Sequence, residues 1–218
     1  MSPFAVHKVF NNHFILSHNR TVFWEEEKAL IISDLHLGKT GHFRKNGIGV
    51  PQNIFKEDMQ RFMAAIQLFK PVQVIIVGDM FHSHNNSEHD LFLKWRNDIS
   101  GLSFELVMGN HDILEKEWYK KAAVNCHQQS LTVGNFIFTH DINDIEVEYG
   151  KYYISGHIHP GIKMSGLGKQ VLQLPCFYFG AQYAVLPAFS KFTGIHPLKI
   201  KKADNVYALT ETKVMQVQ

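Results

Sequence analysis

The sequence predicts an α/β fold made of two β-sheets with helices outside. Three observations carry this reading. Apolar strands alternate with amphipathic helices from residue 29 to 123. From residue 131 onward the apolar runs are short, separated by turn signals, and free of clear helical periodicity. Five of the strands end on Asp, Asn or His. Alternation places helices on the faces of a sheet, whereas a strand-only stretch must cover its apolar face with a second sheet.

Composition sets the outer limits. An apolar content of 45% and a charge content of 19% suit a globular chain, and 218 residues suffice to bury a sizeable core. No repeat, low-complexity tract or linker interrupts the sequence, so residues 1–218 are expected to form one domain. No apolar run is long enough to span a bilayer. The start, "MSPFAVHKVFNNHF", lacks the charged and apolar regions of a signal peptide. Cys126 and Cys176 make no disulfide framework. A reduced, cytoplasmic protein is therefore expected.

The elements follow in order. "HFILS" and "RTVFW" read as short strands, "EEEK" as a turn and "ALIIS" as a buried strand. After the loop "GKTGHFRKNGIGV", the stretch "PQNIFKEDMQRFMAAIQLFK" places Ile54, Phe55, Met59, Phe62, Met63, Ile66 and Phe69 at helical spacing. "VQVIIVGD" is the next strand. "SEHDLFLKWRNDI" is a second helix with Leu91, Trp95 and Ile99 on one face, "FELVMGNHD" a strand and "ILEKEWYKKAA" a short helix. "LTVGNFIFTHD" is a hairpin around Gly-Asn. "KYYISGHIHP", "QVLQLPCFYFG", "QYAVLP" and the pair "NVYALT" and "KVMQV" complete the strands.

Charge and histidine are unevenly placed. The net charge is only +2, yet no Asp or Glu occurs from Tyr149 to Ala203, where Lys151, Lys163, Lys169, Lys191, Lys199, Lys201 and Lys202 all fall. Leu35 to Lys56 is likewise acid-free and carries Lys39, Arg44, Lys45 and Lys56. Such segments favour a polyanionic partner, although solvated lysines on outward faces account equally well for any single one. Of 14 histidines, His7, His13, His18, His89 and His196 read as surface residues.

Five further histidines, His36, His111, His140, His157 and His159, fall at strand ends. "LIISDLH", "VIIVGD", "LVMGNHD", "FIFTHD" and "YYISGHIH" each run from apolar residues into Asp34 and His36, Asp79, Asn110, His111 and Asp112, His140 and Asp141, or His157 and His159. Ligand sites in α/β proteins lie beyond the carboxyl ends of strands, so these endings could converge. Carboxylate, imidazole and amide oxygen without thiolate suit divalent ions such as Mn, Fe or Zn. The donors exceed the needs of one ion, and a two-ion site activates water for attack at phosphorus. Alternate residues of extended backbone point the same way, which suits the pairs Asp34/His36 and His157/His159. Gly78, Gly109 and Gly156 each precede a candidate donor, where a missing Cβ allows a sharp turn or close approach.

In order, "SDLH", "VGD", "GNHD", "TH" and "GHIH" resemble the motifs of the calcineurin-like metallophosphoesterase superfamily. "WEEEKALIISDLHLGKTGHFRKNGI", "GDMFHS", "FTHD", "SGHIHPGI", "LPCFYF" and "LPAFSKFTG" are similar to the DNA-ligase-associated metallophosphoesterases often grouped as PdeM. The resemblance implies a four-layer α/β/β/α sandwich, two mixed β-sheets flanked by helices. It implies Asp34, His36 and His159 on a first ion, Asn110, His140 and His157 on a second, and Asp79 bridging them. Manganese is the foremost ion, with Zn, Fe, Ni or Mg as alternatives.

The implied reaction is in-line attack of a metal-bridging hydroxide on phosphorus. His111 would protonate the leaving oxygen or hydrogen-bond the phosphoryl group, and Asp112 would orient His111 and raise its basicity. Asp141 stands where many members have Gly and is not counted as a ligand. Lys39, Arg44 and His82 are candidates for substrate binding, with His84 nearby. The implied function is a phosphodiesterase or DNA endonuclease of DNA repair, with DNA as partner and association with ligase or helicase proteins. The alternatives are a hydrolase of small phosphoesters (cyclic nucleotides, nucleotide pyrophosphates or monoesters) and a non-catalytic scaffold.

Overall fold

The structure is a computed structural model and describes residues 2–39, 54–82, 87–165 and 170–218. Its first sheet has seven strands in sequence order. β1 (Phe4–Val9), β2 (Asn12–Ser17), β3 (Thr21–Trp24) and β4 (Ala29–Ser33) are antiparallel neighbours. β5 (Gln73–Val77), β6 (Ser103–Val107) and β7 (Asn125–His127) then add in parallel. Parallel neighbours need crossover connections. These carry α1 (Ile54–Phe69), α2 (Ser87–Asp98) and α3 (Lys116–Lys121).

The second sheet is built from β8 (Ser130–Val133), β9 (Phe136–Thr139), β10 (Tyr152–Ser155), β11 (Pro160–Ser165), β12 (Val171–Phe179), β13 (Tyr183–Val185) and β14 (His196–Pro197). Its order is β14-β11-β12-β13-β10-β9-β8. β15 (Asn205–Leu209) pairs with β12, and β16 (Val214–Gln216) lies beyond it. The Gly134-Asn135 turn closes the β8–β9 hairpin as expected, with Gly134 at φ 58°.

The apolar runs of β4, β5 and β6 are buried on both faces, and period-two alternation sorts their side chains. Ala29, Ile31, Ile75, Val77 and Val107 point between the sheets, against Phe136, Phe138, Tyr152, Ile154, Phe177 and Phe179. Leu30, Ile32, Val74, Ile76, Phe104 and Leu106 point the other way, against Phe62 of α1, Phe92 of α2 and Tyr119 of α3. The three helices therefore form one layer outside the first sheet. Outside the second sheet, Cys176, Tyr178, Val185 and Val206 are covered by Leu198, Ile200 and Val217 from extended segments. Among the described residues that outer layer contains no α-helix, because no stretch after residue 125 repeats its apolar residues at helical spacing. Among the described residues no helix is long and apolar enough to cross a membrane.

Several local expectations are corrected. β1, β7, β11 and β14 are strands that the apolar pattern does not announce. His7 is not a free surface residue: its ring lies 4.0 Å from that of Phe179, and Nδ1 is 3.0 Å from the Tyr207 hydroxyl. Burial pushes its pKa down to about 4. His89 is buried, packed edge-on against Phe81 at 4.9 Å. The inner face of α2 centres on Phe92, which is 0% exposed, while Leu91 is 50% exposed. The aromatic rings of Phe81, Trp95 and Phe104 around Phe92 decide that rotation.

Phe138 lies in the middle of the inter-sheet core and is fully buried. Phe138→Ala should cost about 3–5 kcal/mol of stability through lost burial and a residual cavity. Urea unfolding checks this, with a lower midpoint expected at an unchanged m-value.

Candidate metal centre

The carboxyl ends of β4, β5, β6, β9 and β10 deliver their polar endings to one place, and the backbone turns sharply there. Asp34, His36, Asp79, His157 and His159 all have left-handed backbone, with φ of 52°, 48°, 51°, 64° and 52°. Left-handed backbone at a non-glycine residue costs on the order of 1–2 kcal/mol, although Asp and His tolerate it better than most. Extended alternation is therefore not what brings Asp34 beside His36, or His157 beside His159. A left-handed residue at each donor does it.

Hydrogen bonds between the loops hold these turns. Asp34 N donates to Gly78 O at 3.1 Å, and His36 N donates to Asp79 O at 2.9 Å. Gly156 N donates to His140 O at 3.0 Å, and His157 N donates to Asp34 Oδ2 at 3.2 Å. Behind Asp34 lies the "LPAFSKFTG" stretch, where Phe189 N donates to Ser33 O at 2.7 Å and Ser190 N to Asp34 O at 3.3 Å. Two guanidinium groups fix that stretch in turn. Arg20 donates to Ala188 O and Ser190 O at 3.0 and 2.8 Å, and Arg61 donates to Phe189 O at 2.6 Å. The sequence offered no sign of this brace, because its parts come from three distant segments.

The three motif glycines work by absence. A Cβ on Gly78 would collide with the His140 ring, and one on Gly109 with Asp79 Oδ1. On Gly156 it would strike Ser33 Oγ and lie 2.6 Å from Asp34 Oδ2. Each glycine admits a donor from a neighbouring motif.

The donors form two adjoining groups. Asp34, His36 and His159 offer atoms within 4.8 Å of one another, and so do Asp34, Asp79 and His140. His159 Nε2 lies 3.2 Å from Asp34 Oδ1. Neither atom has hydrogen-bond geometry to any partner among the described residues, and the same holds for both ring nitrogens of His36. Buried polar atoms without partners are costly. Donors that crowd one point without bonding each other are what a cation would satisfy. Asn110 Oδ1 and His157 Nδ1 lie 3.0 and 3.1 Å from His140 Nε2. Metal–ligand bonds of 2.0–2.1 Å at right angles separate neighbouring donors by about 3 Å. The residues thus fit two adjacent divalent ions.

Asp79 stands between the groups. Its Oδ1 is 3.5 Å from His140 Nε2, and its Oδ2 is 3.9 Å from His36 Nε2 and 4.0 Å from His111 Nε2. The His111 backbone N–H donates to Asp79 Oδ1 at 2.9 Å. Protonation states suit metal binding. Burial holds the His36 imidazole down, to about 2, despite the nearby Asp34 carboxylate. Burial pushes the Asp34 carboxyl up, but His159, His140 and the Ser33 hydroxyl hold it below the ordinary carboxylate range.

Two expected roles change. Asp112 does not orient the His111 ring. Its Oδ1 accepts from Met80 N and Phe81 N at 2.9 and 3.2 Å, and its Oδ2 accepts from Gly109 N at 2.9 Å. It clamps the β5 loop to the β6 loop, and burial pushes its carboxyl up to about 7 against the pull of those donors. Asp141, set aside in the sequence reading, places Oδ2 3.7 Å from His157 Nε2. That is too long for a hydrogen bond, but a carboxylate there favours the ring orientation that turns Nδ1 inward. Its position directly after His140 was the available signal.

The substrate candidates divide. Lys39 is half-buried, and burial holds its pKa below the ordinary lysine value against the opposing charges of Asp79 and Asp34. The His82 ring lies 4.5 Å from His111 and 5.5 Å from His36, at the edge of the centre. Arg44 and His84 lie outside the described residues.

With the site in view, comparison with known protein families gives the class of the chain. Residues 27–156 match the calcineurin-like phosphoesterases, and the chain belongs to that family. The chain is similar to the nuclease MPE of Pseudomonas putida, with 21% identity, 98% of this chain and 100% of that one covered, and a TM-score of 0.82. It is also similar to Yfce, a phosphoesterase from E. coli, with 12% identity, 87% and 97% coverage, and a TM-score of 0.47. Comparison with curated proteins finds no match. The 0.82 superposition establishes the shared fold.

Gly156→Ala should leave the chain folded but push Ser33 and Asp34 aside. Calorimetric titration with Mn²⁺ should then show affinity weakened roughly 10–100-fold, the scale of disturbing a residue that orients ligands. Unchanged affinity would show that the close approach at Gly156 is dispensable.

Proposed function

We propose that the protein is a two-metal-dependent phosphodiesterase acting on nucleic acid. The carrying observation is the Asp79 carboxylate, whose two oxygens face different donor groups. In this reading Asp34, His36 and His159 hold one ion, Asn110, His140 and His157 hold the other, and Asp79 serves both. When bound, two such ions supply a water of lowered pKa and neutralise charge gathering on the phosphoryl oxygens. The chain supplies the rest. The β-strand ends fix the donors so that little reorganisation accompanies the reaction. His111, with its side chain 40% exposed and its Nε2 at the rim of the site, can donate a proton to the leaving oxygen. Lys39 adds positive charge beside the two carboxylates.

Nucleic acid is favoured over other phosphodiesters by two supports. The Pseudomonas putida protein of the same fold is described as a nuclease. The acid-free, lysine-bearing segments of this chain offer charge for a polyanion. We take DNA as the polymer, and manganese as the ion that its nitrogen and oxygen donors accommodate.

Asp79→Asn should lose the second-ion occupancy and lower hydrolysis of bis-p-nitrophenyl phosphate at least about 100-fold. Metal analysis beside steady-state kinetics checks it, and full activity with both ions retained would overturn the bridging role. His111→Ala should keep its metal content while kcat falls by roughly 10²–10⁴. A normal rate would remove His111 from the proton transfer. A wild-type protein that cleaves the small ester but leaves DNA intact under every metal would move the assignment to small phosphoesters.

A further inference from the structure

We propose that the groove leaving the Asn110–His140–His157 side of the centre is a nucleotide subsite, formed by a nucleoside pocket followed by a phosphate-accepting lysine pair, Lys116 and Lys120. This inference rests on the phosphodiesterase reading above and extends it to the substrate on one side of the scissile bond.

The first part is a cavity of about 600 Å³ that has Asn110, His140 and His157 in its wall and therefore opens directly onto the candidate centre. Its volume lies in the range of small-molecule sites. Among the described residues its wall carries no lysine or arginine and has two carboxylates, Asp141 and Asp144. A second phosphate placed there would meet like charge. The group beside the reacting phosphate must therefore carry no negative charge, and N–H donors would suit the carboxylates.

The rest of the wall suits a nucleoside. Met108 and Ile145 supply apolar contact for a flat ring, while Gln128 and Gln129 supply amide donors and acceptors. Asp141 is occupied, since Oδ1 accepts from the Asn143 backbone and side-chain nitrogens and Oδ2 faces His157. The Asp144 carboxylate makes no hydrogen bond among the described residues, so it is the acceptor available to a base amino or imino group.

Positive charge returns one step further on. Met108 and Gln128 also line a second cavity of about 540 Å³, whose wall includes Lys116 and Lys120. Gln128 Nε2 lies 3.2 Å from Met108 Sδ, so these two side chains form the saddle between the cavities. Both lysines are exposed on α3, and the contact of Lys120 with Glu117 at 3.6 Å is an exposed pair that yields readily to a stronger anion. The surface thus runs from cation-binding centre to uncharged or acidic pocket to ammonium pair. A polynucleotide presents the matching order of phosphate, nucleoside and phosphate. A phosphomonoester or a simple aryl ester would use only the first station.

The test compares bis-p-nitrophenyl phosphate, p-nitrophenyl thymidine 5′-phosphate and a short fluorescein-labelled single-stranded oligodeoxynucleotide on the Mn²⁺-loaded protein. We expect wild type to prefer the thymidine ester over the bis-aryl ester, and Asp144→Ala to lose that preference through KM. Lys116→Ala combined with Lys120→Ala should weaken oligonucleotide binding about tenfold and flatten its salt dependence by about 1.4 units of slope. Both variants should keep the wild-type rate on bis-p-nitrophenyl phosphate, because neither touches the centre. Wild-type KM, preference for the thymidine ester and salt dependence in all variants would overturn the subsite while leaving the hydrolase reading in place. Failure of wild type to hydrolyse bis-p-nitrophenyl phosphate with any divalent ion would overturn that reading and the subsite with it.

Discussion

Two carboxylates, Asp34 and Asp79, are buried to 0% and 2% exposure at the ends of adjacent parallel strands. That concentration of negative charge is the constraint on which the rest of the structure turns. Burying even one carboxylate costs several kcal/mol unless something compensates. The neighbouring side chains are imidazoles and the half-buried Lys39, and burial keeps His36 neutral, so His36 supplies no counter-charge. The arrangement is electrostatically incomplete as protein. Divalent cations would complete it, and the unpartnered atoms of Asp34, His36 and His159 would then share one explanation.

Holding such a set together requires work elsewhere in the fold. Five of the donors sit in left-handed backbone, and the loops carrying them are tied by hydrogen bonds to one another and to the 188–190 stretch. Arg20 and Arg61 grip that stretch from behind, with Arg61 itself held by Asp58 at 2.6 Å and laid over the Phe189 ring at 4.2 Å. Asp112 performs a similar task on the other side, binding the β5 and β6 loops through three backbone N–H groups. Strained donor backbone persists because the surrounding contacts over-determine it. Among the described residues the three α-helices pack on the outer face of the first sheet, away from the rim where the donors gather.

The surroundings of the centre are not symmetric. On the Asp34 side it is backed by the arginine brace, where hydrogen bonding to carbonyls occupies the guanidinium groups. On the His140 side it opens into a groove whose charge changes sign along its length. A phosphoester approaching the centre therefore meets a rigid wall on one side and a graded surface on the other.

The residue types at the strand ends, their order along the chain and the apolar runs before them were legible in the sequence, because strand burial and metal chemistry each restrict composition locally. The motif glycines were legible for the same reason. Their reason was only half visible: each makes room for a side chain from another motif, and that neighbour is known only once the chain is folded. The face of α2 that turns inward, the burial of His7 and His89 and the extended covering of the second sheet depended on which aromatic groups met across the core. The left-handed donors, the Arg20–Arg61 brace and the turn of Asp112 away from His111 likewise needed tertiary structure. Sequence determines which groups can bind a cation or a proton, since that is covalent chemistry. Only the fold decides which of them share a point in space, because burial, strain and hydrogen-bond competition act between segments that the chain order leaves far apart.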